Sequence, residues 1–172
     1  MADIEFNTTA GHAIGRELLI AYINTGTSAS PTWSPLGTRV EESSAEYDWS
    51  EETIQDILGN TFTTMKKPTV TQSFDQCPLD SGEAALTYIW GLAVKDQDAQ
   101  ALSAQDMLIC HYYEITSFAE RYTSCAVRVT GLGGEGGGNI EMSIEVTYGG
   151  TRTVGIVTNT NGTVTFTTGS GE

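Results

Sequence analysis

Residues 139–148 read NIEMSIEVTY. Ile140, Met142, Ile144, Val146 and Tyr148 fall on one parity, and Asn139, Glu141, Ser143, Glu145 and Thr147 on the other. Side chains alternate across a strand, so this spacing predicts a strand that buries one face and gives a polar, acidic face to water. Its natural partner is 121–130 (RYTSCAVRVT), reached across the glycine-rich run from Gly131 to Gly138. Gly149-Gly150 and Asn159-Thr160-Asn161-Gly162 read as hairpin signals that bring in 151–158 and 163–168. A four-stranded antiparallel β-meander is therefore expected over about 121–168. A sheet this regular, with no catalytic constellation beside it, points to structure and assembly before chemistry.

Upstream the pattern is more broken. Residues 1–15 are polar and read as an arm, flexible or docked on a neighbour. The apolar run 17–23 (ELLIAYI) is a strand candidate, and 25–35 is a Thr-, Ser- and Pro-rich loop whose Trp33, with Leu36 beyond it, reaches toward the core. Residues 38–50 promise one or two strands. Ile54, Ile57 and Leu58 in 51–60 suit one or two amphipathic helical turns closed by Gly59. Strands are expected at 69–74 and 107–114. The clear helix lies at about 81–94, with Asp80 as cap, Glu83 three residues on, and Ala85, Leu86, Ile89, Leu92 and Ala93 at helical spacing. The stretch 39–68 is a long polar excursion, of the kind that is usually functional or mobile. The fold class expected is mainly β: one domain over 1–172, a β-sandwich or small barrel with one flanking α-helix.

Composition agrees. Of 172 residues 39% are hydrophobic, enough for one core, and only 17% are charged, with Thr, Ser and Gly filling the gap. The net charge is −14, from 22 acidic and 8 basic residues. Lys66-Lys67 is the one basic cluster, which argues against specific nucleic-acid binding. Cys77, Cys110 and Cys125 are an odd number without motif spacing, so a disulfide framework is not expected and a reducing compartment fits. The segment MADIEFNTTAGHAIG has no basic n-region and no apolar run, so no signal peptide is expected, and no stretch has the apolar length of a membrane span.

Candidate chemistry fails on spacing. The glycine run is followed by Asn139 and a strand, with no lysine, where a phosphate loop needs a helix. Cys110 and His111 are adjacent and point to opposite strand faces, so they share neither a metal nor a catalytic step; His111 reads as a partly buried histidine with a hydrogen-bond partner. Glu141 and Glu145 share a face but lie about 13 Å apart along an ideal strand, too far for a glycosidase pair. Trp33, Trp49 and Trp90 stand in three different contexts. No enzyme, cofactor or metal site is expected.

Taken in order, GRELLIAYINTG, SPLGTRVEESSAEYDWS, the excursion ETIQDILGNTFTTMKKPTVTQSFDQCPL, the helix SGEAALTYIWGLAV and the closing GIVTNTNGTVTFT resemble the major tail protein, or tail tube protein, of long-tailed bacteriophages and prophages. The resemblance covers most of the chain. It implies a structural virion protein, assembled in the bacterial host cytoplasm into rings of six that stack into a tail tube through which DNA passes without specific binding. Its partners would be itself and the tape measure, tail terminator and distal tail proteins. The 39–68 excursion would sit between stacked rings, with Arg39, Glu41, Glu42, Lys66 and Lys67 as contact candidates. Glu141, Glu145 and Glu135 are the candidates to line the lumen, where carboxylates repel phosphates within a screening length of about 8 Å. The readings that compete are a β-sandwich recognition module, either a capsid decoration or a carbohydrate or host-surface binder, and a tube-forming secretion component.

Overall fold

The computed structural model describes residues 6–169. One sixteen-residue strand, β8 (Phe118–Gly133), organises them. Its first half pairs on one side with β7 (Gln105–His111) and on the other with β10 (Arg152–Thr160). β7 carries β1 (Leu19–Asn24) and then β2 (Trp33–Pro35), and β10 carries β11 (Thr163–Thr168). The second half of β8 pairs with β9 (Glu141–Tyr148), which carries β6 (Thr69–Pro78) and then β3 (Ala45–Asp48). The result is one antiparallel sheet of nine strands, bent within β8 so that its two halves face each other. β4 (Glu52–Gln55) and β5 (Thr61–Thr64) form a separate two-stranded ribbon.

The bend is visible in the registers. The β7–β8 pairing slips between Gln105 and Met107, and Tyr122 and Cys125, three residues apart, both face the core. A strand that changes sheets at a bulge is the ordinary way to make a sandwich corner.

The main core fills the space between the halves. Ala21, Ile23, Met107 and Ile109 meet Phe74, Met142, Ile144 and Val146 there, and the helix α1 (Ala84–Trp90) closes it with Ala85, Leu86 and Ile89. A second cluster lies on the opposite face of the first half, where Tyr22, Trp33, Leu108 and Cys110 pack on Val157 and Val164. β11 curls back against β2 to cover it, which gives this half barrel character. β1 and β7 are thus buried on both faces, and their sequences are continuous apolar runs for that reason. β9 is buried on one face, and its alternation survives in its burial from Met142 to Tyr148.

Several expectations are corrected. Ile140 precedes β9 and is 60% exposed. Gly149-Gly150 does not turn the chain back. β9 and β10 both run antiparallel to β8, and the Gly149 carbonyl accepts from the Ser124 amide in the bend between them, so 121–168 is not a simple meander. Only the Asn161-Gly162 signal makes a hairpin, with both residues at positive φ as a two-residue loop requires.

Residues 51–60 are not helical. Asp56 Oδ1 accepts from the amides of Leu58 and Asn60, each at 2.8 Å, and this turn reverses β4 into the Thr-rich β5. The helix begins later than 81. Asp80 Oδ1 is taken by the Gly82 amide at 2.9 Å, and Glu83 stands at the N-cap without a side-chain cap bond. After Trp90 the helix widens into a π turn, Gly91–Lys95, and a short α2 (Ala99–Leu102) follows, capped by Asp98. Of the N-terminal arm, residues 1–5 lie outside the described residues. Phe6 and Asn7 dock on their own chain: the Asn7 amide donates to the Tyr113 carbonyl at 2.6 Å, and the Phe6 ring tilts on Tyr113.

Candidate assembly surfaces

Three surfaces stand out once the strands are in register. The first is the outer face of the half built on β9. The pairing Arg128↔Glu145↔Ser73 and the pairing Ala126↔Thr147↔Thr71↔Glu46 align outward residues from four strands. Glu141, Ser143 and Thr130 extend the same face. Ala126 is the one hydrocarbon side chain among them. Asp75, exposed at the β6 bulge, and Glu42 add carboxylates beside it. The face is polar, small-residue and acidic.

Two of the lumen candidates sit here. Glu145 is not a bare charge, because Arg128 Nη2 reaches it at 2.6 Å. Both groups are partly open to solvent, so the pair adds little stability, but it offsets one carboxylate. Glu141 opens onto a shallow cleft with Arg39, Glu41 and Glu42. Arg39 is turned to Asp80, at 3.3 Å. The structure therefore joins Glu141 to three of the five inter-ring candidates. Glu135 stands apart, at the tip between β8 and β9.

The second surface is the β4–β5 ribbon with its flanks. From Trp49 to Lys67 every residue except Asp56 is exposed. Ile57 is 102% exposed and Leu58 81%, and Ile54, Phe62 and Met65 are all at least half exposed. An isolated two-stranded ribbon is marginal in water, and an apolar tip held in solvent is a candidate contact surface. Lys66 and Lys67 stand at its base, where the Lys66 amide donates to the Trp49 carbonyl at 3.0 Å. The 39–68 excursion is thus two things: a segment packed on the sheet through β3, and a bare ribbon.

The third surface is a cleft of ≈ 530 Å³ between the base of that ribbon and the body, lined on one wall by Tyr47, Trp49 and Lys67 and on the other by Glu120, Tyr122 and Arg152. Tyr47 and Trp49 lie stacked, their planes 20° apart and each half exposed. They share a strand parity, two residues apart, so both rings project on one side of β3 and its extension.

Beneath the cleft is a buried network that sequence reading missed in part. Glu120 is 4% exposed. His111 Nε2 lies 2.9 Å from one of its carboxylate oxygens, and Arg152 and the Tyr122 hydroxyl donate to the other at 2.6 and 3.3 Å. Burial pushes the Glu120 carboxyl upward, but the His111 hydrogen bond and the Arg152 charge outweigh it and hold the group below the usual carboxylate range. His111 Nδ1 is also 2.6 Å from the Tyr113 hydroxyl, so the histidine is buried and doubly partnered. Nothing in the local sequence marked Glu120 as interior. Only the β7–β8–β10 register brings its partners together, from 9 and 32 residues away.

Cys77, Cys110 and Cys125 are all buried and unpaired. Burial pushes their thiols up, to about 11 for Cys77 and about 12 for the other two. Cys110 packs in the second core cluster while His111 turns to Glu120, so the two do point to opposite faces. Among the described residues no group of His, Cys, Asp and Glu side chains could hold a metal ion, and no helix is long and apolar enough to cross a membrane.

The fold and surfaces define a β-rich, bent-sheet protein with one flanking helix, an acidic sheet face and an extended ribbon. No family model and no curated protein matches the sequence. Among solved structures, the chain shares its fold with one from the sheath/tube terminator of an extracellular contractile injection system, the PVC, in its extended state. The TM-score is 0.51 at 10% identity, over 85% of this chain and 99% of that one. It is also similar to a chain of the PVC sheath–tube complex, with a TM-score of 0.49 at 8% identity over 86% and 95% of the two chains. A further similarity is to the tube-terminating cap of the anti-feeding prophage, with a TM-score of 0.44 at 11% identity over 87% and 95%.

Proposed function

We propose that this protein is a structural subunit of a phage-tail-like tube. It self-assembles into rings, six copies each, that stack around a channel, and it carries no catalytic activity. The observation that carries the reading is the pairing of surfaces on one fold. A sheet face with a single hydrocarbon side chain suits a water-filled lumen, and a ribbon with a fully exposed apolar tip suits contact between copies. The fold shared with a tube terminator supports it. In this reading Glu141 faces DNA, Glu145 does so with its charge offset by Arg128, and the ribbon reaches the next ring. The virion tail is its place of work, with the tape measure, terminator and distal tail proteins as partners.

A second reading is favoured by one observation: the fold match is to a chain of a sheath/tube terminator. In that reading the chain forms a single ring that does not stack. Negative-stain electron microscopy of the concentrated protein, with its mass measured by light scattering, decides among these. Tubes with a central channel establish the repeating subunit, and isolated rings establish the terminator. A discrete trimer, or a monomer that binds sugar, moves the protein to the recognition modules.

A further inference from the structure

The Tyr47–Trp49 cleft and the glycine-rich tip lie at opposite ends of the same half-sheet. β9 runs from Glu141 beside the tip to Tyr148 beside the cleft, eight residues, which separates the two ends by about 24 Å. Two sites at opposite poles of one chain make a heterologous contact, the kind that repeats from copy to copy, into a closed ring or an open stack.

Their chemistry is complementary. The chain carries −14, yet Lys67 and Arg152 sit on the cleft walls; Arg152 is already paired with the buried Glu120, so Lys67 is the cleft's unpaired charge and the cleft keeps a net positive sign. None of the three lysines of the chain is ion-paired among the described residues, and one of the three, Lys67, lines this cleft, with Lys66 next to it in the chain. The tip offers the opposite sign in a slender form. Glu135 is its one charge, and Gly131, Gly133 and Gly136 have open space where a side chain would be. Leu132 and Ile140 flank it as apolar shoulders, 46% and 60% exposed. A narrow, glycine-lined hairpin end lets peptide planes lie flat on aromatic rings, and the stacked Tyr47–Trp49 pair presents such rings.

We infer that the cleft of one copy receives the 134–139 tip of a second copy, with Glu135 set between Lys67 and Arg152. This rests on the tube reading and adds to it a polar, pole-to-pole contact separate from the apolar ribbon. It also takes Glu135 out of the lumen and puts it between subunits.

The experiment is site-directed disulfide trapping in the full chain. Glu135→Cys and Lys67→Cys proteins are made separately, mixed and oxidised; the three native thiols are buried and do not compete. A covalent heterodimer is expected from the mixture, well above the homodimers of either protein alone, and a ladder of multimers from the doubly substituted chain. Light scattering adds a charge test. Glu135→Lys weakens self-association about tenfold or more, because like charges then face each other, and adding Lys67→Glu in the same chain restores it. Wild-type rings or tubes without the heterodimer overturn the inference and leave the tube reading standing. Absence of both overturns the two together, as does occupation of the cleft by a sugar.

Discussion

Glu120 shows how a single side chain ties the first half of the sheet together. It is a buried carboxylate whose oxygens are shared among His111, Arg152 and Tyr122, which come from β7, β10 and β8. Glu120→Gln keeps the shape and removes the charge, leaving Arg152 facing a neutral amide. We expect a loss of about 2–4 kcal/mol in urea unfolding at neutral pH, the lower end favoured because Arg152 is half exposed. The pH dependence has a definite sign. A carboxyl held below its unfolded value stabilises the fold fully above the ordinary carboxylate range, and that stability is lost as pH falls through the depressed folded value. Urea unfolding at neutral and acidic pH should show this limb in the wild type and a flatter one in Glu120→Gln. The cysteines yield a second residue-scale expectation. With thiols pushed to about 11 or about 12, a disulfide reagent should titrate none of them in the native protein and all three after denaturation.

At the scale of elements, the bend between β9 and β10 depends on glycine. Gly150 has φ +75, and a Cβ there would lie 2.8 Å from the Ser124 backbone nitrogen. Gly150→Ala should therefore destabilise by about 1–3 kcal/mol from strain and overlap, read as a lowered urea midpoint with an unchanged slope. The ribbon should behave in the opposite way. Ile57→Ser with Leu58→Ser removes surface that is already in water, so monomer stability should move by no more than about 0.5 kcal/mol while self-association falls. Light scattering and urea unfolding on the same protein separate the two effects.

The same elements show what the sequence could reveal. Strict alternation announced β9, because one face is core and the other solvent. Continuous apolar runs announced β1 and β7, although not that both of their faces are buried. The ribbon was misread because Ile54, Ile57 and Leu58 are spaced for a helix, while the decisive interaction is the Asp56 turn with its partner strand still to come. Gly149-Gly150 was misread for a related reason: a glycine pair marks a change of direction, and only the pairing with β8 says whether it is a reversal or a bend. Of the candidate residues, the carboxylates of β9 were legible from parity. Glu46 and Asp75 were not, since only cross-strand register puts them near Glu145.

For the whole molecule, the acidic face leads to a test in assembled particles. In the tube reading, Glu141→Lys with Glu145→Lys should leave tubes intact and impair DNA delivery. The Glu145 substitution also sets a lysine against Arg128, taking the net charge of that pair from zero to +2. Unaffected infectivity would remove both residues from the lumen. The change should not touch the core, because these side chains share no face with Met142, Ile144 and Val146.

The bent β8 has a mechanical consequence. It is bonded to β7 and β10 over its first half and to β9 over its second, so no cut across the molecule separates the halves without breaking it. Between the tip and the cleft, β8, β9 and β6 lie side by side along the line joining the two ends. Ladder bonds run perpendicular to the strands, so a pull along that line loads many bonds at once in shear instead of unzipping them singly. A column of such subunits joined end to end would transmit tension through its strands, and its loops would carry little of the load.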